Sequence, residues 1–382
     1  MADIFRPLGR DKQFTDKLWE FNWGFLLLLC AIASFGFAML YSVADGNLEP
    51  WAMRQILRFG VGVLILIAVA LVDIRVWMSL AYPAYGVALA LLVAVEVVGF
   101  KGMGAQRWVS FGFVQIQPSE VMKIALILAL ARYFHGLRLD QVSRLRYLFA
   151  PAAMIAAPVA LVLRQPDLGT AVLLMAGGVS LLFLAGLAWR FFVLGGAAAL
   201  AAIPIGWNML HDYQKQRVFT FLDPERDPLG AGYHILQSKI ALGSGGLFGK
   251  GFMQGTQAHL NFLPEKHTDF IFTMLAEELG LAGGLVLLVL YFFVLLFGVN
   301  VSLQSRNQFG RLVTQGICVT FFLYIFINTA MVMGLLPVVG VPLPLVSYGG
   351  TAMLALMFGF GLVMSTHIHR NTEISHNSSA FL

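Results

Sequence analysis

The stretch Asn261-Phe-Leu-Pro-Glu-Lys-His-Thr-Asp-Phe-Ile-Phe-Thr-Met-Leu-Ala-Glu-Glu-Leu279 begins as a polar loop end and turns into an apolar helix without pausing. Thr268 has the chemistry of an N-cap, which predicts Asp269 in the first helical turn. Asp269, Thr273 and Glu277 then follow at i, i+4 and i+8 and share one face. An acid at the mouth of an apolar helix, with Glu277 and Glu278 about 12 Å further along at 1.5 Å per residue, is unusual. Acids inside a membrane span are costly and mark a site or a pathway. The plainer alternative is that Asp269 only complements the helix macrodipole.

Working outward, the 382 residues are 59% hydrophobic and only 12% charged, against about 25% charged in a soluble protein. Mean hydropathy is +0.79. These values predict an all-α integral membrane protein. The net charge of +5 is spread singly between apolar spans, so no basic block suits a nucleic acid. Cys30 and Cys318 both lie in apolar stretches, and neither Cys-x-x-Cys nor His-Glu-x-x-His occurs.

Apolar runs of about 20 residues predict ten spans, near 23–43, 54–72, 77–99, 119–135, 148–164, 169–187, 190–210, 270–298, 311–335 and 344–366. Residues 1–382 thus read as one polytopic domain: a polar segment 1–22, spans one to seven over 23–210, a long loop 211–269, spans eight to ten over 270–366, and a tail 367–382. The first apolar stretch is too long for a signal h-region and reads as an uncleaved helix. With the N-terminus inside, the inner segments hold thirteen Lys and Arg and the short outer ones six. That bias places both termini in the cytoplasm and the long loop outside.

From Leu312 to Thr366 there is no charged residue, which predicts packing or lipid-facing helices. The outer side instead collects Arg107, Glu120, Lys123, Asp167, Lys239, Lys250, Lys266 and Asp269, so a site is expected there. Glu120 and Lys123, at i and i+3, can pair at the start of the fourth span. Arg107 beside Trp108 is either an interfacial anchor or an anion ligand. Asp167, in Gln165-Pro-Asp-Leu-Gly-Thr, suits an N-cap of the sixth span. His234 to Leu242 has the look of a short amphipathic helix on the membrane surface.

Gly243-Ser-Gly-Gly-Leu-Phe-Gly-Lys-Gly departs from a phosphate loop at Ser244 and Gly251. It is either a flexible loop or a set of N–H groups cradling an anion near Lys250. His211, His234, His259 and His267 lack ligand spacing. Between Leu336 and Thr351, prolines and glycines predict a stiff non-helical segment over the outer cavity, with Ser347 and Tyr348 as its polar edge.

Gly104-Ala-Gln-Arg-Trp, Gln117-Pro-Ser-Glu, Gln165-Pro-Asp-Leu-Gly-Thr, Gly243-Ser-Gly-Gly-Leu-Phe-Gly, Leu263-Pro-Glu-Lys-His-Thr-Asp-Phe and Pro342-Leu-Pro-Leu-Val-Ser-Tyr-Gly-Gly together resemble the shape, elongation, division and sporulation (SEDS) family of the bacterial cell wall. The form of residues 220–234 is similar to the elongation branch. The resemblance implies a peptidoglycan glycosyltransferase of the inner membrane that polymerises lipid II on the periplasmic side during elongation and rod-shape maintenance. It implies a class B penicillin-binding protein as partner, and Asp269 as the essential acid. Polymerisation converts an α-linked pyrophosphate donor to a β-1,4 product, so Asp269 is the candidate base of one inversion.

Arg107, Lys123, Lys239, Lys250 and Lys266 are candidates to hold the pyrophosphate. Glu120, Asp167, His267, Glu277, Glu278 and Ser347 are supporting candidates. No organic cofactor is expected; a divalent cation such as Mg could share the phosphate charge, with no ligand set readable. The rival readings are a lipid II flippase, which needs a midplane site open to both sides, and a non-catalytic scaffold for the penicillin-binding protein.

Overall fold

The computed structural model describes residues 14–98, 100–102, 105–111, 114–209, 215, 219–221, 223, 231–259 and 265–374. The fold is nearly all helical, and each of the ten expected spans falls on a helix. In chain order these helices are α1 (Phe14–Glu20), α2 (Trp23–Val43), α3 (Ala52–Leu71), α4 (Ile74–Val98), α5 (Pro118–His135), α6 (Leu139–Val142), α7 (Phe149–Arg164), α8 (Leu168–Leu184), α9 (Trp189–Met209), α10 (Ala231–Ser244), α11 (Thr256–His259), α12 (Ile271–Gln304), α13 (Gln308–Val332) and α14 (Gly350–Ile368). Among the described residues seven helices are long and apolar enough to cross a membrane, and α8 and α9 add two shorter apolar ones.

The helix starts follow local chemistry. Asn22, Asp167 and Asn307 cap α2, α8 and α13 through their side chains, and Pro118 occupies the first turn of α5. Pro83, Pro158 and Pro204 lie inside α4, α7 and α9. Membrane helices tolerate this because neighbours can satisfy the freed carbonyls.

The segment before α5 departs from the all-α expectation. It forms three short antiparallel strands in the order β1 (Phe100–Gly102), β2 (Ala105–Phe111) and β3 (Val114–Ile116).

Burial separates the helices into two kinds. The apolar stretches of α13 and α14 are 67% and 72% buried, against 28% in α4 and α12. The charge-free stretches of α13 and α14 are therefore packing elements, whereas α12 is the less buried. Helix α5 lies deepest: of its 18 residues only Val121 and Tyr133 escape burial. It can carry three charges because protein surrounds it. Arg132, for instance, donates to the carbonyls of Met78 and Ser79.

Candidate functional site

The turn Glu265–Phe270 leads into α12, and three parts of the chain hold it. Ser347 donates its hydroxyl to the carbonyl of Thr268 at 2.6 Å and accepts the amide of Leu343 at 2.8 Å. The amide of Tyr348 donates to His267 at 2.9 Å. Asn328 of α13 donates to the carbonyls of Asp269 at 2.9 Å and Val341 at 2.7 Å. At the start of α3, the Trp51 indole stacks on His267 with centroids 4.6 Å apart.

Gln55, one turn further, donates to the carbonyl of Ser347 at 2.9 Å. The Arg58 guanidinium lies 4.8 Å from the Tyr348 ring centroid. Residues 51, 55 and 58 share one helical face, and together they brace both the turn and the loop.

The loop 336–349 is non-helical, as its prolines require, and its polar groups are met from the protein side. Tyr291 donates to Pro344 at 2.7 Å, Asn328 to Val341, and Gln55 to Ser347. Asp269 faces this loop: a Cβ placed on Gly340 would sit 3.5 Å from its Oδ2.

Thr268 does not cap the helix. Its hydroxyl bonds Glu265, 2.8 Å from the carboxylate; α12 opens at Ile271, after Phe270, without a side-chain cap. Asp269 therefore precedes the helix rather than sitting in its first turn.

Below the turn, α12 breaks. Gly280 has φ 67° and ψ −166°, a combination open in practice only to glycine. The groups freed there are taken up by the glycine-rich loop. Lys250 and Gly251 donate to the carbonyls of Glu277 and Glu278, and Leu281 and Ala282 donate to those of Gly246 and Leu247, each at 3.0 Å. A Cβ on Gly249 would lie 2.1 Å from the Glu278 carbonyl oxygen, so the approach needs glycine at this point. Two of the loop's N–H groups and two of its carbonyls are thus spent on the broken helix.

The Glu277 carboxylate, fully buried, accepts Lys250 Nζ at 2.7 Å, both the amide and hydroxyl of Thr256 at 3.0 Å, and the amide of Gln257. Glu278 accepts Ser42 at 2.5 Å and the Met253 amide at 3.0 Å.

A second buried cluster lies between α5 and α13. Lys123 Nζ is 2.6 Å from Glu120. The Tyr324 hydroxyl donates to Glu120 at 2.8 Å while also contacting Lys123. Asp167 caps α8, accepting the amide of Thr170 at 3.2 Å and its hydroxyl at 2.9 Å.

Two cavities lie near these elements. One is lined by Lys123, Leu173 and Thr320, the other by Tyr324, Pro342 and Ser347, and each has a volume of about 10 Å³. That is room for about one water molecule, far below the roughly 300–1,000 Å³ of a small-molecule site, and neither lining includes Asp269.

The model of the FtsW/RodA/SpoVE family, described as cell cycle proteins, matches residues 20–372. The chain belongs to this family. The "Peptidoglycan glycosyltransferase MrdB" of Escherichia coli K12 is 47% identical over 94% of this chain and 96% of its own length. The "Peptidoglycan glycosyltransferase RodA" of Treponema pallidum is 30% identical over 91% and 97%. A solved chain from a peptidoglycan synthase complex, studied for its coordination of polymerization and crosslinking, superposes with a TM-score of 0.80. It is 33% identical, with 92% of this chain and 99% of that one covered. RodA of Thermus thermophilus superposes at 0.70 with 31% identity, over 92% and 98%. The chain is accordingly an integral membrane protein, with the helical fold of its FtsW/RodA/SpoVE relatives.

In this family member the expected cations divide. Lys123 and Lys250, expected as pyrophosphate ligands, are engaged with Glu120 and Glu277. Each lysine thus neutralises a carboxylate that would be costly to bury alone. Lys266 is buried in the turn; burial pushes its ammonium below the usual value, with Asp45 pulling the other way. Lys239 is exposed on α10 with its stem against Gly334. Helix α10, which covers the segment expected as a short amphipathic helix, has an anchored inner face, where Ser238 bonds Thr273 at 2.9 Å and the carbonyl of Val332 at 2.8 Å, and exposed Leu236 and Ile240 on the other.

Arg107 lies on β2; its side chain falls outside the described residues, as do those of His211 and His259. Among the described residues no three His, Cys, Asp or Glu side chains come together to hold a metal.

Sequence reasoning missed Trp51, Gln55, Arg58, Asn328 and Tyr324. The available signal was Gln55 and Arg58 recurring on one face of an otherwise apolar helix.

Proposed function

We propose that the chain is a peptidoglycan glycosyltransferase that polymerises lipid II at the periplasmic face of the bacterial inner membrane, with Asp269 as general base. The reading is supported by the likeness to MrdB and RodA along nearly the whole chain. The observation that carries it to Asp269 is the construction of its turn. Ser347, Tyr348 and Asn328 fix the backbone on both sides of Asp269, and its carboxylate faces the loop around Gly340. A fixed backbone holds a base in place, and general-base catalysis depends on such positioning.

In this mechanism Asp269 takes the proton from the attacking sugar hydroxyl as the pyrophosphate leaves from the opposite face. Arg58, Lys239, Lys266 and Arg107, with Lys123 and Lys250, are the candidate cations to meet the departing charge. The neighbouring imidazole stays neutral near pH 7: burial pushes His267 down from its ordinary value, Glu265 opposes and Lys266 adds to it. A divalent cation such as Mg would be held mainly by the substrate's own phosphate oxygens and would share their charge, since among the described residues no three His, Cys, Asp or Glu gather to hold one. The natural partner is a class B penicillin-binding protein, which cross-links what this chain polymerises.

The test is strand synthesis from labelled lipid II by the purified complex. Asp269→Asn keeps the shape of the side chain and should lower the rate by about 10²–10⁴ at equal folded amounts. A rate within a few-fold of wild type removes Asp269 as the base. If lipid II crosses vesicles without any glycan product, the flippase reading replaces this one.

A further inference from the structure

The glycine-rich loop presents two large apolar side chains outward. Leu247 is 65% exposed and Phe248 83% exposed, the latter among the most exposed of the large apolar side chains. Their place relative to the membrane follows from the length of α12. Past the break at Gly280, the 24 residues from Leu281 to Gln304 extend about 36 Å at 1.5 Å per residue, enough to cross a hydrocarbon core of about 30 Å. The far end is polar, since Arg306 just past it bonds the carbonyl of Arg370 and lies 3.9 Å from Glu373. Counting about 20 residues back from there puts the opposite boundary of the core within a few residues of Gly280.

The outward stripe of α12 agrees. Leu281, Leu285, Val289 and Phe292 are each about half exposed and continue at helical spacing to Leu303. The stripe begins just after the break at Gly280. Beyond the break, the Glu277 and Glu278 side chains are buried and bonded to the loop.

The tip of the loop joins that stripe directly, because Ala282 donates its amide to the carbonyl of Leu247 and Leu281 to that of Gly246. Phe248 thus extends an apolar belt at the depth where aromatic side chains collect in membrane proteins. We propose that Leu247 and Phe248 seat the outer loop in the headgroup–acyl boundary of the leaflet opposite Arg306. The occupant of this face is lipid, on the continuity of the tip with the stripe and on its depth. The seat supports the loop that closes the break in α12, so the membrane itself helps set the position of the segment leading to Asp269. The inference does not depend on the catalytic role of Asp269.

The experiment uses the full chain in phospholipid nanodiscs, with Cys30 and Cys318 replaced by alanine and one new cysteine carrying an environment-sensitive fluorophore. Phe248→Cys is compared with Val289→Cys as the lipid control and Arg138→Cys as the water control. The expected result is a blue-shifted probe at 248. Phospholipids brominated near the top of the acyl chain should quench it strongly and deeper bromines weakly; aqueous iodide should give only slight loss. Iodide quenching equal to that of the water control overturns the proposal. So does protection from both quenchers in the isolated chain, which would mean a second copy covers the tip. Iodide access that is lost only when a penicillin-binding protein is added also overturns it and assigns the face to that partner.

Discussion

Two carboxylate–lysine pairs, one buried on both sides and one with a part-exposed lysine, serve opposite purposes in this bundle. Glu120 and Lys123 meet only side chains: each other and Tyr324, across the seam of α5 and α13. Glu277 meets Lys250 too, but also the amides of Thr256 and Gln257, which the break at Gly280 brings alongside. The first pair joins two helices that would be complete without it. The second satisfies backbone groups that would otherwise be stranded. The difference predicts that the first can be replaced by apolar groups if it is replaced whole, whereas the second cannot.

The sharpest way to break the comparison is Lys123→Met alone. It leaves a buried carboxylate without its cation, which costs about 3–5 kcal/mol and should read as a large loss of thermal stability in detergent. Converting Glu120 to Gln as well should restore most of it. If the double variant is as unstable as the single, the two clusters are alike.

Glu277→Gln should cost about 1.5–3 kcal/mol, and adding Lys250→Met should not rescue it, because the amides of Thr256 and Gln257 still lack a charged acceptor. Recovery in that double variant would make the second pair an ordinary side-chain bridge.

Gly280→Ala should cost about 1–3 kcal/mol from backbone strain alone. The new Cβ would also lie 2.3 Å from the Gly249 amide nitrogen, so the loss should include protection of the 245–251 amides in hydrogen exchange. An unchanged exchange pattern would separate the break from the loop.

The smallest effect concerns pH. His267 titrates below its ordinary value because it is buried, so the unfolded chain binds the proton first as pH falls. Its contribution is complete above about pH 6.5, the unfolded value, and declines as the pH drops toward the lowered folded value. Melting curves between pH 7.5 and 5, with values set around that reference, should show the decline in wild type and a flatter profile in His267→Phe. Equal slopes would place the sensitivity elsewhere.

The helices were legible because an apolar run needs no knowledge of its neighbours. The Asp167 cap was legible because Thr170 lies one turn away. The break in α12 was not: a glycine within an apolar run reads as a tolerated helical residue. Its meaning lies in residues 245–251, some thirty positions earlier. The ion pairing of Lys250 with Glu277 was hidden for the same reason, since charge is visible in sequence and a partner 27 residues away is a product of folding. Thr268 failed as a cap because Glu265, three residues back, competes for its hydroxyl. The strands at 100–116 are too short for their alternation to stand out from a polar loop.

The hydroxyl of Ser347 has a mechanical consequence. By accepting from Leu343 while donating to Thr268, it rivets the segment before α14 to the segment before α12. The two cannot swing apart without shearing that joint, so any widening of the mouth around Asp269 must carry both as one plate. The pivots then fall on the glycines that flank the plate, Gly280 below it and Gly334 beside it, both with positive φ.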